Sequence, residues 1–298
     1  MVLGSGTVVL LALQGAVPRP LLSVGITATL LFALGMLDDK GWLHPQVKLG
    51  VGMSVAALVV LAAGGRIPLF SGSIPGGTLL ELGVTWLWVV GMTAAFSILD
   101  HMDGVCAGIA ALTGLGLVGF ALQTGRIEIA IIALAISGAA LGFLVFNFHP
   151  ARIFMGDAGA MFLGFALASL ATFLPWDAYE TGKGLILIAL TFAVPILDTS
   201  LVILSRLRRG LVPFSSPGKD HMAHRLMNLG LTVRQTAGFL YGVQILCIGL
   251  AFSLRGWHGW LVGAVGLLLA GLWLGLLVAL EHAPFEDQRK IREFQDVP

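Results

Sequence analysis

An all-α, polytopic membrane fold of about ten transmembrane helices is what this sequence predicts, and three observations carry that expectation. Of 298 residues, 57% are hydrophobic and 11% charged, where soluble domains carry roughly 25% charged residues. The apolar residues fall into runs near the ~20 residues that cross a bilayer. Lys and Arg sort unequally between alternate loops, as the positive-inside rule requires.

The runs cover residues 2–17, 21–37, 47–63, 82–99, 104–123, 127–147, 159–175, 184–204, 236–254 and 259–280. One set of loops, with residues 281–298 as a tail, collects Lys40, Lys48, Arg152, Arg206, Arg208, Arg209, Lys219, Arg225, Arg234, Arg289, Lys290 and Arg292. The opposite set collects Arg19, Arg66, Arg126, Lys183 and Arg255. Twelve against five places the first set in the cytoplasm. The expected organisation is one integral membrane domain, 1–298, with a cytoplasmic His/Arg-rich loop at 205–235. The first run lacks a basic leader and a small-residue exit, so it reads as a membrane segment and not as a cleaved signal. Cys106 and Cys247 lie in apolar stretches without partner spacing, which suggests packing residues. A net charge of +1 with no basic domain gives no sign of nucleic-acid binding.

The acids follow the same partition. Asp38, Asp39, Asp100, Asp103, Asp157 and Asp220 all fall on the cytoplasmic side, at or just past the ends of runs. A midplane array would suit an ion-coupled carrier, whereas an array at one face suits chemistry on something soluble.

Asp157, between Gly156 and Gly159 in NFHPARIFMGDAGAMFLG, stands at the mouth of an apolar segment. A carboxylate there is costly unless paired, solvated or bound to a cation; it is also what a helix N-cap looks like. Asp38 and Asp39 end the second run. Adjacent carboxylates repel unless a cation or proton intervenes, so they suit a magnesium and diphosphate site. A solvated helix end is the simpler alternative, although acids there oppose the macrodipole at ~0.3–1 kcal/mol. Asp100 and Asp103 are three apart in a turn before Gly104 and are able to face the same way. His101 between them reads as a polar loop residue, since no second His lies at zinc-like spacing. Asp198 lies inside the eighth run, roughly 9 Å from its cytoplasmic end at helical rise, and is expected to brace the break at Pro195. In the 205–235 loop, Arg206, Arg208 and Arg209 have the alternative of lipid-headgroup anchors, whereas His221, His224 and Arg225 suit phosphate or sugar hydroxyls.

Taken together, these segments resemble the polyprenyl-phosphate N-acetylhexosamine-1-phosphate transferases, of the glycosyltransferase 4 type. LGMLDDK looks like that family's aspartate pair, SILDHMDGVCAG like its N-x-x-D-G-x-D-G segment, and NFHPARIFMGDAGAMFLG like its N-F-x-P-A-x-I-F-M-G-D-x-G-S-x-F-L-G run. PILDTSLVILSRLRRG and DHMAHRLMNLGLTVRQ match its P-x-x-D-T helix and His-rich loop. Five segments in consistent order, from about residue 30 to 235, make the resemblance specific. It is closer to the branch using UDP-N-acetylglucosamine and undecaprenyl phosphate than to the peptidoglycan translocase. Departures fall at Ala94 and Ser97, where the family usually has asparagine, at His101 for glycine, at Ala160 for serine and at Ala223 for histidine.

The resemblance implies transfer of N-acetylhexosamine 1-phosphate from a UDP-sugar to a polyprenyl phosphate at the cytoplasmic face of the inner membrane, releasing UMP. It implies a multi-pass chain whose cytoplasmic loops form the active site, with Mg2+ or Mn2+ as cofactor; a homodimer is compatible with a membrane enzyme, although no helix-face motif argues for it. Asp38, Asp39 and Asp157 are implied as catalytic residues, with Asp157, Asp39 and Asp103 at the metal. Asp100, Asp103, His221, His224 and Arg225 are implied at the substrates. Ala94, Ser97 and Ala223 motivate a rival expectation, an inactive relative serving as lipid-phosphate binder or scaffold; Asp198 with the histidines motivates a second, an ion-coupled carrier.

Overall fold

The computed structural model describes residues 18–42, 48–69, 76–176, 182–212 and 220–281, and every regular element among them is helical. The chain runs through α1 (Arg19–Asp39), a π-helical turn (Lys48–Met53), α2 (Ser54–Ala62), α3 (Gly77–Leu99), α4 (Val105–Gln123), α5 (Ile127–Asn147), α6 (Gly156–Thr172), α7 (Lys183–Thr191), α8 (Ala193–Arg208), α9 (Met222–Asn228), α10 (Val233–Leu254) and α11 (Gly259–Glu281). Residues 2–17, most of the Ser205–Gln235 loop's centre (213–219) and the 282–298 tail lie outside the described residues.

The helices start and stop where local chemistry permits. Pro20 sits in the first turn of α1, where its missing N–H is not needed. α10 opens with a capping box: the Gln235 N–H donates to Thr232 Oγ1 while Thr232 N–H donates to Gln235 Oε1.

Six helices are long and apolar enough to cross a membrane: α1, α3, α4, α5, α10 and α11, with α7 and α8 together making a seventh if their bent pair is one span. The expected count of about ten is not reached among the described residues, for physical reasons. The 47–63 run breaks into a π-helical turn and the nine-residue α2. The 159–175 run becomes α6, whose 17 residues reach only about 25 Å at helical rise. The 184–204 run bends by 85° between α7 and α8.

α6 is the interior of the bundle. Fourteen of its seventeen residues are buried, and it packs against α1, α3, α4 and α5. Small residues such as Gly159, Ala160, Gly164, Ala166 and Ala168 let neighbouring backbones close in. At Gly35 of α1 a Cβ would lie 2.6 Å from the Ala158 nitrogen, so only glycine permits this approach. Across the bundle, Trp88 Nε1 donates to the Ala168 carbonyl at 3.2 Å. α11, by contrast, has 11% of its span inside the protein and shows Leu267, Leu268 and Leu272 outward, a surface suited to lipid.

The bend between α7 and α8 is held from α10. The buried Gln244 accepts from Val194 N–H through Oε1 at 3.0 Å and donates through Nε2 to the Thr191 carbonyl at 2.6 Å. These are two of the backbone groups that a break at Phe192 leaves without helical partners. Trp88 meets the Phe192 ring edge-on at 5.0 Å between centroids. The expectation that Asp198 braces this break is replaced by Gln244, and Asp198 holds a different segment, described below.

Candidate active site

The first turn of α6 exposes backbone N–H groups that no helical carbonyl reaches, and carboxylates from two other helices take them. Asp39, at the end of α1, accepts from Asp157 N–H through Oδ1 at 2.8 Å and from Ala158 N–H through Oδ2 at 3.3 Å. Asp100, just past α3, accepts from Gly156 N–H. Asp157 itself lies inside the first turn, and the preceding Met155 makes no side-chain cap. The capping expected of Asp157 is thus supplied in trans by Asp39 and Asp100. Both sit at the positive end of the α6 dipole, which offsets the cost of closing α1 with acids. Gly156 takes a φ of +64°, and a Cβ there would lie 2.7 Å from Asp39 Oδ2, so glycine is required twice over.

This arrangement draws Asp39, Asp100 and Asp157 together. Ser97 Oγ donates to Asp157 Oδ1, so one of the departures from the family pattern touches the central acid directly. Burial, then the charge of Asp157 and, more weakly, that of Asp39, push the Asp100 carboxyl up to about 7, against the pull of its Gly156 bond. The crowding is that of a site short of positive charge. Asp38 is half-buried beside Asp39 and also makes contacts of its own.

Asp103 faces another partner. Its Oδ2 accepts from His149 Nδ1 at 2.8 Å and from Ala151 N–H at 3.1 Å, which pins the segment leading into α6. That segment, with a cis His149–Pro150 bond, is also held by the buried Asn147, which accepts from Gly104 N–H at 3.0 Å and donates to the Ile153 carbonyl at 2.9 Å. Arg234 Nε donates to the His149 carbonyl at 3.0 Å. The sequence signal for Asn147 was a polar residue closing an apolar run before the P-A-x-I-F motif.

The His-rich segment docks on the same end of the bundle through Asp198. His221 Nδ1 donates to Asp198 Oδ2 at 2.9 Å, and Met222 N–H donates to Oδ1 at 2.7 Å. His101, read from sequence as a loop residue, stacks on His221 with ring centroids 3.7 Å apart, and His224 lies 5.2 Å from it. Burial and the neighbouring His221 hold His101 down to about 3, so the ring is neutral.

Arg225 is fully buried. It donates to the Asp220 carbonyl through Nε at 3.2 Å and to Ser205 Oγ through Nη2 at 2.9 Å. The Asp220 carboxylate receives Arg206 at 2.9 and 3.1 Å and Arg209 at 2.5 Å. Burial raises the Asp220 carboxyl, but the bond and charge of Arg206 outweigh it and hold the group below its ordinary value. Arg206 and Arg209 are therefore ends of an internal ion-pair network, where lipid contact was the alternative.

Comparison with known proteins places this geometry in a context. Residues 21–174 match the family described as Glycosyl transferase family 4. A protein of Bacillus subtilis (strain 168) described as a probable undecaprenyl-phosphate N-acetylglucosaminyl 1-phosphate transferase is 34% identical over 86% of this chain and 68% of its own length. The decaprenyl-phosphate N-acetylglucosaminephosphotransferase of Mycolicibacterium smegmatis is 31% identical over 78% of this chain and 63% of its own. The phospho-N-acetylmuramoyl-pentapeptide-transferase of Synechococcus sp. (strain JA-2-3B'a(2-13)) is 35% identical over 76% and 69% respectively. The chain thus spans roughly two thirds of the length of each of these relatives.

Proposed function

Because this chain belongs to glycosyl transferase family 4, we propose that it transfers N-acetylglucosamine 1-phosphate from UDP-N-acetylglucosamine to a polyprenyl phosphate. The names of the Bacillus and Mycolicibacterium relatives support that sugar and that acceptor class. The observation that carries the proposal is the gathering of Asp39, Asp100 and Asp157 on the first turn of α6. Basic residues concentrated in the loops on the acid-bearing side support a reaction at the cytoplasmic face of the inner membrane.

In the reaction, an oxygen of the polyprenyl phosphate forms a bond to the β-phosphorus of the UDP-sugar. The bond from that phosphorus to the bridging oxygen breaks, and UMP leaves with the electron pair. An alkyl phosphate has a second pKa near 6, so much of the acceptor is dianionic at neutral pH, and no strong base is needed.

Two anions meeting beside three carboxylates require positive charge. An all-oxygen donor set of crowded aspartates fits a hard dication such as Mg2+ or Mn2+, held by Asp157 and Asp39 with Asp100 alongside. When bound, such an ion would neutralise the diphosphate and polarise its phosphoryl oxygens. Asp39 keeps α1 and α6 in register, Ser97 fixes the orientation of the Asp157 carboxylate, and Asp38 is assigned to the attacking phosphate. Asp103 supports the site through the His149–Ala151 segment. His221 and His224 are assigned to the diphosphate and sugar, and Arg225 acts through Ser205 and the Asp220 carbonyl as a positioning residue.

UMP release by the purified chain, with UDP-N-acetylglucosamine, undecaprenyl phosphate and Mg2+, tests the proposal. Lipid-dependent release that disappears in Asp157→Asn is the expected result. Absence of release from folded protein across UDP-N-acetylhexosamines would overturn it.

A further inference from the structure

We propose that Tyr241 of α10 is a positioning residue for the transfer reaction: its hydroxyl, together with Arg234 on the same helix, holds the turn that carries Asp100 and Asp103. The proposal rests on the transferase reading above. Its starting point is a bond from Tyr241 Oη to the Gly104 carbonyl, 2.6 Å long and spanning 137 residues of sequence.

That carbonyl already accepts from Gly108 N–H at 3.0 Å, at the start of α4, so the tyrosine fills its second lone pair. On the other side, Gly104 N–H donates to Asn147 Oδ1 at 3.0 Å. Gly104, at a φ of +79°, is thus gripped at both of its polar groups. Gly108 makes room for the ring: a Cβ there would lie 2.2 Å from Tyr241 Cζ and 2.3 Å from its hydroxyl. Glycine inside a helix is destabilising relative to alanine, so α4 keeps this gap against its own propensity. A phenylalanine ring would fill the gap equally well, and only the hydroxyl reaches the carbonyl.

Arg234 lies about two turns before Tyr241 on the same face of α10. Its Nε donates to the His149 carbonyl at 3.0 Å, and His149 Nδ1 donates to Asp103 Oδ2 at 2.8 Å. Asp103 is covalently joined to Gly104, which returns to Tyr241. The contacts therefore close a ring from α10 through His149, Asp103 and Gly104 back to α10. Asp100, three residues before Asp103, accepts from Gly156 N–H at the mouth of α6. Releasing the Gly104 carbonyl opens the ring and frees the turn on which Asp100 approaches Asp157. Misplacing acting groups by ~1 Å is enough to slow a reaction by ~100-fold.

Tyr241→Phe, which keeps the packing, and Gly108→Ala, which displaces the ring, are assayed in the full chain for UMP release with UDP-N-acetylglucosamine, undecaprenyl phosphate and saturating Mg2+. Phe252→Leu, at the other end of α10 in the room left by Gly119, is the comparison. Tm and amide exchange over residues 100–108 are recorded for each. In Tyr241→Phe, kcat is expected to fall ~10-fold or more, with KM for undecaprenyl phosphate held within about twofold and faster exchange over 100–108. Adding Tyr241→Phe to Gly108→Ala should lower kcat little further, because both act on one contact. Phe252→Leu is expected to lower Tm and leave kcat and that exchange unchanged. Wild-type kcat or wild-type exchange in Tyr241→Phe would overturn the proposal, as would an equal loss of kcat in Phe252→Leu. If the wild-type chain released no UMP, the transferase reading would fail by itself, and the exchange comparison would still decide whether Tyr241 holds the turn.

Discussion

The carboxylate of Asp39 closes the N-terminus of the helix that carries Asp157, with Oδ1 2.8 Å from the Asp157 nitrogen across 118 residues of sequence. One acid is thereby used as the structural cap that holds another acid in place. Asp39→Asn retains one acceptor oxygen but loses the charge at the dipole. It is expected to cost about 0.5–1 kcal/mol of stability, seen as a small fall in Tm, together with a much larger loss of UMP release.

Gly35→Ala tests the same contact without touching a carboxylate. Its Cβ would meet α6 backbone 2.6 Å away, and overpacking of this kind costs about 1–3 kcal/mol. Tm and activity are expected to fall together because α1 must shift and carry Asp39 with it. Gly138→Ala, on α5 with open space around its Cβ, is the comparison and is expected to leave both intact or raise Tm slightly.

Gln244→Leu removes the brace across the α7–α8 bend. The Val194 N–H and the Thr191 carbonyl would each be left buried and unsatisfied, at about 1–3 kcal/mol apiece. A clear drop in Tm is expected, with loss of activity beyond it, since α8 carries Asp198 and Arg206. An unchanged Tm would show that water replaces the amide.

Asp220→Asn breaks the network of Arg206 and Arg209, with an expected cost of about 3 kcal/mol because two guanidinium groups lose their counter-charge. The native Asp220 carboxyl lies below its ordinary value. A group lowered on folding contributes stability that is fully present above the unfolded value near 4 and is lost as pH falls through the folded one. The wild-type chain should therefore lose stability more steeply than Asp220→Asn below about pH 4, as read by unfolding midpoints across that range.

Much of this was legible in the sequence, and the exceptions share a cause. Runs of apolar residues located α1, α3, α4, α5, α10 and α11 because length and hydropathy suffice for a helix that faces lipid. They also located α6 and the α7–α8 pair, but gave no sign that the small residues of α6 serve interior packing or that the 184–204 run bends, since that bend depends on Gln244 from 50 residues away. Motif spacing singled out Asp39, Asp100 and Asp157 but not the way they meet, since capping in trans is invisible along the chain. His101 does lie in a turn, as read, but its ring partner His221 was not legible because it is 120 positions distant. The burial of Arg225 was not legible because sequence reports charge and not depth.

The occupied end of α6 bears on the order in which molecules can arrive. A helix N-terminus is the usual cradle for phosphate, yet here its amides are already engaged by Asp39 and Asp100. A nucleotide diphosphate approaching this point meets carboxylates where other enzymes offer free N–H groups. The chain has in effect reversed the sign of its own anion hole, so nucleotide binding should be conditional on a dication already in place. Titrations of UDP-N-acetylglucosamine should accordingly be near silent in chelator and saturable once Mg2+ is restored, a sequential requirement written into the backbone of one short helix.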